Sequence, residues 1–300
     1  MKKCRKEVAA AICRAGLPVQ KIKYLASGDD SDVLLCDKKW VVKLPKRQEV
    51  KAALQREFAL YTFLCQQPLP FRIPQPVYIC DDFSVLTFLD GTHLSYRNYQ
   101  RLCESEKEAL AYDEAQFLRA LHGVLVDVGV PPLCDAAEDK RQRLKREQTE
   151  ICGILDNAGL LSNVLREKIA AIYMNLFSSQ TLFQYTPCLV HNDFSADNLI
   201  FRNDRLYGVM DFGDFIIGDP DNDFYCILDS SRDDFGKDFG RKVLRHYAHP
   251  APEIAERKAE IHESYWPLEQ IFLGSRRRNA AYIRQGLRKL RRLDPKAFVF

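Results

Sequence analysis

The chain has 300 residues, with 44 Lys and Arg against 41 Asp and Glu, a net charge of +3. That near balance gives no whole-molecule field for a polyanion, and the length suits two lobes better than one small core. No run approaches the roughly 20 apolar residues of a membrane span, and the apolar stretch 8–13 behind the basic start is too short for a secretion signal and is cut by Arg14. The ten cysteines stand singly, without Cys-x-x-Cys or zinc-like spacing, and Cys65, Cys80, Cys152, Cys188 and Cys226 sit in apolar runs. They read as small buried hydrophobes in a reducing cytoplasm.

In chain order, Val8, Ala11, Ile12 and Ala15 recur at helical spacing until Gly16 and Pro18 end the helix. Three strand-like runs follow at 19–25, 33–36 and 40–44, joined by an acidic turn at 27–32 and by Asp37-Lys-Lys, which predicts an antiparallel sheet. Lys43 lies in the otherwise apolar third run, and an inward ammonium needs a partner. The helix predicted over 49–65 supplies one. Val50, Ala53, Leu60, Tyr61 and Leu64 make its apolar stripe, and Glu57 falls in the middle of it, so an inward Lys43–Glu57 ion pair is expected.

Pro68, Pro70, Pro74 and Pro76 mark a connection to strands at 77–80 and 83–89, and Asp90-Gly91 then breaks the chain. Beyond it the pattern is mainly helical. One helix ends at His122-Gly123, where a helix-end histidine is favourable, and a loop at 129–133 leads to helices over 137–155 and 163–177. Asp219-Pro220 is an N-cap followed by a first-turn proline. It opens helices at 221–228, 235–246, 252–265 and 267–273, then a basic tail helix to 293. The basic runs 140–146 and 276–292 read as solvated helix faces, with no nucleic-acid partner assigned.

The densest chemistry lies between, in Cys188-Leu-Val-His-Asn-Asp-Phe-Ser-Ala-Asp-Asn and Asp211-Phe-Gly-Asp. Two short strands, 199–201 and 206–210, flank a turn at Asn203-Asp204, so a hairpin brings Asn198 and Asp211 to one end. A carboxylate and a carboxamide there form a hard oxygen site suited to Mg²⁺, which takes few protein ligands. Asp193, just outside, is placed to receive a proton from an attacking hydroxyl. That equipment points to phosphoryl transfer, with His191 as a support for the loop.

His-x-Asp-x-x-x-x-Asn followed by Asp-Phe-Gly resembles the catalytic and metal loops of the protein-kinase-like fold. His-Asn-Asp-Phe-Ser-x-Asp with Asp-Phe-Gly-Asp and Asp-Pro-Asp-Asn-Asp-Phe is similar to the aminoglycoside 2″-phosphotransferases of antibiotic resistance, and the resemblance covers nearly the whole chain. It implies an α+β, bilobal fold, with an antiparallel-sheet N-lobe over 1–90 and a mainly helical C-lobe over 91–300. It also implies a GTP- or ATP-dependent enzyme acting with Mg²⁺ on an aminoglycoside hydroxyl, the 2″ group, expected to be a cytoplasmic monomer.

The resemblance places Asp193 as the catalytic residue and Asn198 and Asp211 as metal ligands. Lys43, fixed by Glu57, would hold the nucleotide phosphates. The loop with Ser27, Gly28 and Ser31 would cover them, although it departs from Gly-x-Gly-x-x-Gly. Backbone groups of Thr87, Phe88 and Leu89 would meet the purine edge, and Ile200 completes the nucleotide set. Acids crowd the same region: Asp197, Asp214, Asp223, Asp229, Asp233 and Asp234, with Glu263 further on. Together they suggest an anionic cleft that would hold a polycation. Asp197, Asp229, Asp233, Asp234 and Glu263 would be antibiotic contacts, with Trp266 stacking on a sugar or ammonium. A choline- or amino-sugar-type metabolite kinase shares this core and is the alternative. A protein kinase fits less well, because 211–219 leaves little room for an activation loop and Ala-Pro-Glu is absent.

Overall fold

The structure, a computed structural model, describes residues 5–28, 30–126, 137–229 and 234–300. Helix α1 (Arg5–Arg14) precedes the strands β1 (Ile22–Ser27), β2 (Ser31–Cys36) and β3 (Trp40–Pro45). Helix α2 (Gln48–Leu64) follows, then β4 (Pro76–Cys80) and β5 (Phe83–Thr87). The five strands form one antiparallel sheet in the order β1-β2-β3-β5-β4. Asp37 and Lys38 both take left-handed backbone (φ 53° and 55°), the type I′ geometry that matches the twist of paired strands. The first strand begins at Ile22 rather than 19, because the N–H groups of Gln20 and Lys21 donate to the Asp37 carboxylate at 3.0 and 2.7 Å. Leu34, Cys36, Val42, Phe83 and Val85 pack with Ile12 of α1 as the core of this lobe.

The remainder is helical around two short antiparallel strand pairs. Helices α3 (Tyr96–Tyr99), α4 (Glu104–His122), α5 (Lys140–Asn157) and α6 (Asn163–Ser178) lead to β6 (Cys188–Val190), β7 (Leu199–Arg202), β8 (Arg205–Val209) and β9 (Ile216–Gly218). Strand β6 pairs with β9 and β7 with β8, all antiparallel. Asn203 and Asp204 turn the β7–β8 hairpin with φ 51° and 56°, as their position predicts. Helices α7 (Lys237–Tyr247), α8 (Pro252–Arg276) and α9 (Ala280–Arg292) complete the chain. A central core joins α2, α4, α7 and the hairpins, and a separate core joins α5, α6, α8 and α9.

Two predicted helical stretches differ in more than their end points. Residues 220–224 form a 3₁₀ turn, held because the Asp219 side chain accepts from Asp221 N–H at 3.1 Å. The break expected at Pro267 is absent, and α8 runs through it. Leu268 and Ile271, both fully buried, dock the helix in the α5–α9 core. Packing there outweighs the hydrogen bond that proline forfeits. Gly286 of α9 permits that docking, since a Cβ there would come within 2.7 Å of the Pro267 carbonyl.

The β7–β8 hairpin is stitched along both edges, to the segment before β4 on one side and to the chain just after the Asp90-Gly91 break on the other. Val209 N–H donates to Arg72 O at 2.9 Å, and Thr92 and Phe201 exchange bonds of 2.8 and 3.0 Å. Gly91 is part of that seam: a Cβ on it would collide with Ile200 Cγ2 and lie 2.9 Å from Phe201 O. Gly91→Ala is therefore expected to destabilise by about 1–3 kcal/mol, the range for overpacked sites. An unchanged urea midpoint would contradict so tight a seam.

Candidate active site

Lys43 sits mid-strand on β3, between Val33 and Ser84, and points under the sheet toward α2. Its Nζ donates to Glu57 Oε1 at 2.6 Å and to Asp211 Oδ1 at 2.8 Å. Glu57 is almost fully buried, as the stripe predicted. Burial opposes the charge on Lys43, but Glu57 and Asp211 outweigh it and hold the ammonium above its ordinary pKa. Burial also pushes Glu57 up, with Lys43 opposing. The Lys43 charge holds Asp211 below the usual carboxylate range, so Asp211 is anionic at neutral pH. Asp211 adopts left-handed backbone (φ 60°, ψ 63°), unusual for a non-glycine residue. Its N–H donates to the Tyr61 hydroxyl at 2.9 Å. Phe212 plugs beneath it, with ring centroids 5.5 Å from Tyr61 and 4.4 Å from His191.

The loop from His191 is held from below. His191 is fully buried, and its Nε2 lies 2.9 Å from Met210 O. A carbonyl only accepts, so Nε2 carries the proton and Nδ1 receives the Asp193 N–H at 3.3 Å. The expected supporting role matches this geometry. Asp223, also fully buried, accepts the N–H groups of His191 (2.9 Å) and Asn192 (2.6 Å). Its Oδ2 also meets His122 Nε2 at 3.0 Å, while His122 Nδ1 lies 2.8 Å from the Tyr247 hydroxyl. His122 is thus a satisfied helix-end residue. Asn198 Nδ2 donates at 2.8 Å to both the carbonyl and Oδ2 of Asp193. That fixes the Asp193 carboxylate.

A cavity of about 1060 Å³ runs past these groups. Gly28, Ser31, Lys43 and Arg47 line its sheet side, Asp193, Asp211 and Asp214 its floor, and His262, Trp266 and Glu269 of α8 its far wall. Ser27 lies outside the lining. Its hydroxyl donates to Asp32 at 2.8 Å and accepts from Lys46 at 2.6 Å, so it is held between two charged side chains. Thr87, Phe88, Leu89 and Ile200 also lie outside the lining. The N–H groups of Thr87 and Phe88 donate to Gln75 O and Lys39 O, both at 2.9 Å.

The acids divide sharply. Asp193, Asp211, Asp214 and Asp229 line the cavity. Asp219 and Asp221 are consumed inside: Lys140 and Lys258 donate to Asp219 at 2.6 and 2.9 Å, and Lys258 and His249 reach Asp221 at 2.6 and 2.7 Å. The N-cap role predicted for Asp219 holds. Asp223 braces the catalytic loop, as above. Asp234 is buried, with Oδ1 accepting the Ala196 N–H at 2.5 Å, so it too braces that loop instead of facing the cavity. Asp197 is exposed outside the lining, and Glu263 lies 3.8 Å from Lys237. Asp233 lies outside the described residues. The anionic cleft is therefore real but local to the catalytic loop. Glu269 and His262 were missed because breaking the helix at Pro267 cut the face that joins them to Trp266; the spacing 262, 266, 269, 273 is its signal.

A family profile described as a phosphotransferase enzyme family (APH) matches residues 21–259. The chain belongs to the aminoglycoside phosphotransferase family. It is similar to APH(2″)-IIa in a gentamicin complex, with 45% identity, 100% of both chains covered and a TM-score of 0.96. The streptomycin–ATP complex of APH(2″)-IIa superposes with a TM-score of 0.94, again at 45% identity and 100% coverage of both chains. ADP-bound APH(2″)-Ib does so with 0.93, at 45% identity over 99% of this chain and 100% of that one. The expected bilobal, kinase-like α+β fold and a nucleotide-dependent phosphotransferase are thereby established.

Within this member of the family, burial pushes the Asp193 carboxyl above its ordinary value. The Asn198 hydrogen bond and His191 oppose the rise, while the charges of Asp214 and Asp211 add to it. A carboxylate acting as the base must be deprotonated, so with Asp193 in that role activity is expected to fall as pH drops through the raised pKa. The acid limb of the kcat–pH profile is expected above the range of a free aspartate. Asp214→Asn removes one charge that raises it and should move the limb to lower pH; a limb that stays put would show Asp193 is not the titrating group.

Proposed function

We propose that this enzyme transfers the terminal phosphate of GTP or ATP to a hydroxyl of an aminoglycoside antibiotic, the 2″ group, and so confers resistance. The observation that carries the reading is convergence on one cavity: Lys43, Glu57 and Asp211 line it together with Asp193, whose carboxylate is held by Asn198 from behind. Gentamicin and streptomycin complexes of APH(2″)-IIa, a structure superposing over the whole chain, support the acceptor class.

Phosphates of the donor would lie between Gly28, Ser31 and Lys43. With Thr87 and Phe88 N–H spent in the sheet lobe, the purine edge falls to Leu89 N–H and neighbouring carbonyls at the hinge. Asp211, ionised, and Asn198 through its Oδ1 are hard oxygen donors of the kind that suits Mg²⁺, and these two residues would hold it. Bound there, Mg²⁺ would neutralise charge on the terminal phosphates. Asp193 accepts the proton of the acceptor hydroxyl as its oxygen bonds to phosphorus and the bond to the departing nucleoside diphosphate breaks. Asn198 and the His191 brace keep that carboxylate aimed, and positioning of this kind supplies much of the rate. Asp214 and Asp229, with Trp266, line the acceptor side. We place the enzyme in the cytoplasm as a monomer. Among the described residues no helix is long and apolar enough to cross a membrane, and the eight described cysteines are free.

Steady-state assays with ATP and GTP across an aminoglycoside panel test the reading. Transfer to choline or another metabolite, with none to kanamycin or gentamicin, would replace it by the metabolite-kinase alternative. Asp193→Ala is expected to cut kcat by about 10²–10⁴ while leaving nucleotide affinity intact, whereas Asp211→Ala weakens nucleotide binding itself. Equal affinity losses in the two variants, read by calorimetry, would contradict this division of labour.

A further inference from the structure

Beside the catalytic cavity lies a second one of about 310 Å³, where α2 of the sheet lobe meets the chain leading into α5. Arg56 of α2 and Glu138, two residues before α5, line both cavities. The sheet lobe thus contributes a cation to this junction and the helical lobe an anion. Each carries an atom that is sealed from solvent and has no hydrogen-bond partner, Nε of Arg56 and Oε2 of Glu138. The other oxygen of Glu138 lies 2.7 Å from Arg143 Nε, and Arg143 also pairs with Glu147 at 2.7 Å. Asp139 is engaged as the cap of α5, accepting the Gln142 N–H at 3.0 Å. Arg146, on the rim, is exposed, so water satisfies it. A buried charged group lacking a partner is unfavourable, and here one of each sign opens on the same small space.

The segment after Asp-Phe-Gly shows how near the two stand. The Arg56 guanidinium lies over Phe215, 5.4 Å from the ring centroid. Glu138 N–H donates to Ile217 O at 2.9 Å. Phe215 and Ile217 are two residues apart in extended chain, about 7 Å, a gap that two long side chains can close by changing rotamer. Arg56 also immediately precedes Glu57, the partner of Lys43. Any tilt of α2 therefore moves Arg56 and the Lys43–Glu57 pair together. A donor gripped from both lobes restrains that tilt, and a charge-assisted bond at the junction would hold it.

We infer that Arg56 and Glu138 are a positioning pair: they join across the lobe junction when nucleotide is bound and so lock α2, with Glu57 and Lys43, in the orientation that phosphate transfer needs. Neither side chain touches the reacting atoms. The inference rests on the donor being held at Lys43, as proposed above.

Arg56→Gln, Glu138→Gln and the double variant form a mutant cycle that tests it. The readouts are calorimetric affinity for a non-hydrolysable ATP or GTP analogue with Mg²⁺, steady-state kinetics, and the thermal midpoint with and without the analogue. Each single variant should lose about five- to tenfold in analogue affinity and in kcat, with acceptor KM kept within twofold. The double variant should lose no more than the worse single one, a coupling of about fivefold or more. That coupling should appear in the midpoint of the analogue complex and be absent from that of the free protein, which a merely structural contact would not do. Arg56→Lys, which keeps the charge, should recover part of the loss. Unmoved affinity and kcat, losses that multiply in the double variant, or equal coupling in the free protein each overturn the pair while the phosphotransferase reading stands. If a glutamine variant does not fold, the cycle of Arg56→Lys with Glu138→Asp is read by the same criteria. Wild type that fails to bind the analogue overturns the donor placement and the pair together.

Discussion

One ammonium group holds this molecule in working order. Lys43 Nζ lies 2.6 Å from a glutamate on α2 and 2.8 Å from an aspartate on the loop after β8. Two consecutive elements of the sheet lobe and a loop 168 residues from Lys43 therefore meet at a single charge. A buried ammonium without partners would be costly, and so would Glu57 without Lys43. The arrangement satisfies both and leaves Asp211 half exposed toward the cavity, anionic and available. Tyr61, four residues after Glu57, adds a hydrogen bond to Asp211 N–H and an edge-on contact with Phe212. The left-handed backbone at Asp211 is held between these contacts.

Below that point the catalytic loop is braced by carboxylates, not exposed by them. Asp223 takes two consecutive N–H groups of the loop and connects through His122 to Tyr247 at the end of α7. Asp234 takes the Ala196 N–H. Asp219 and Asp221 anchor Lys140 and Lys258, tying α5 and α8 to the same segment. Much of the negative charge in this stretch thus does mechanical service. The fraction left on the cavity surface is small and sits beside Asp193, where it raises that carboxyl and can attract cations.

The cavity consequently has a polarity along its length. Cationic side chains stand at the sheet-lobe end, carboxylates beside Asp193, Glu269 on the far wall and arginines further along α8. A donor with a polyphosphate and an acceptor with several ammonium groups would each find the complementary half. Steering by such alternation acts over short distances only, because screening limits it to about 8–10 Å in physiological salt.

What the sequence by itself determined was local and periodic. The Asp-Phe-Gly hairpin, its Asn203-Asp204 turn, and Glu57 inside an apolar helical stripe follow from residue spacing, which chain geometry converts directly into faces and ends. Family and fold were legible for the same reason, since the motif residues are few and their order is rigid. Only the tertiary structure decided where charge ends up. Whether Asp234 faces the cavity or an Ala196 N–H depends on the packing of distant elements, which no spacing encodes. The continuity of α8 through Pro267 was decided the same way: local preference favours a break there, but Leu268 and Ile271 bury enough surface against α9 to keep the helix whole. With that helix intact, Glu269 comes onto the wall of the cavity.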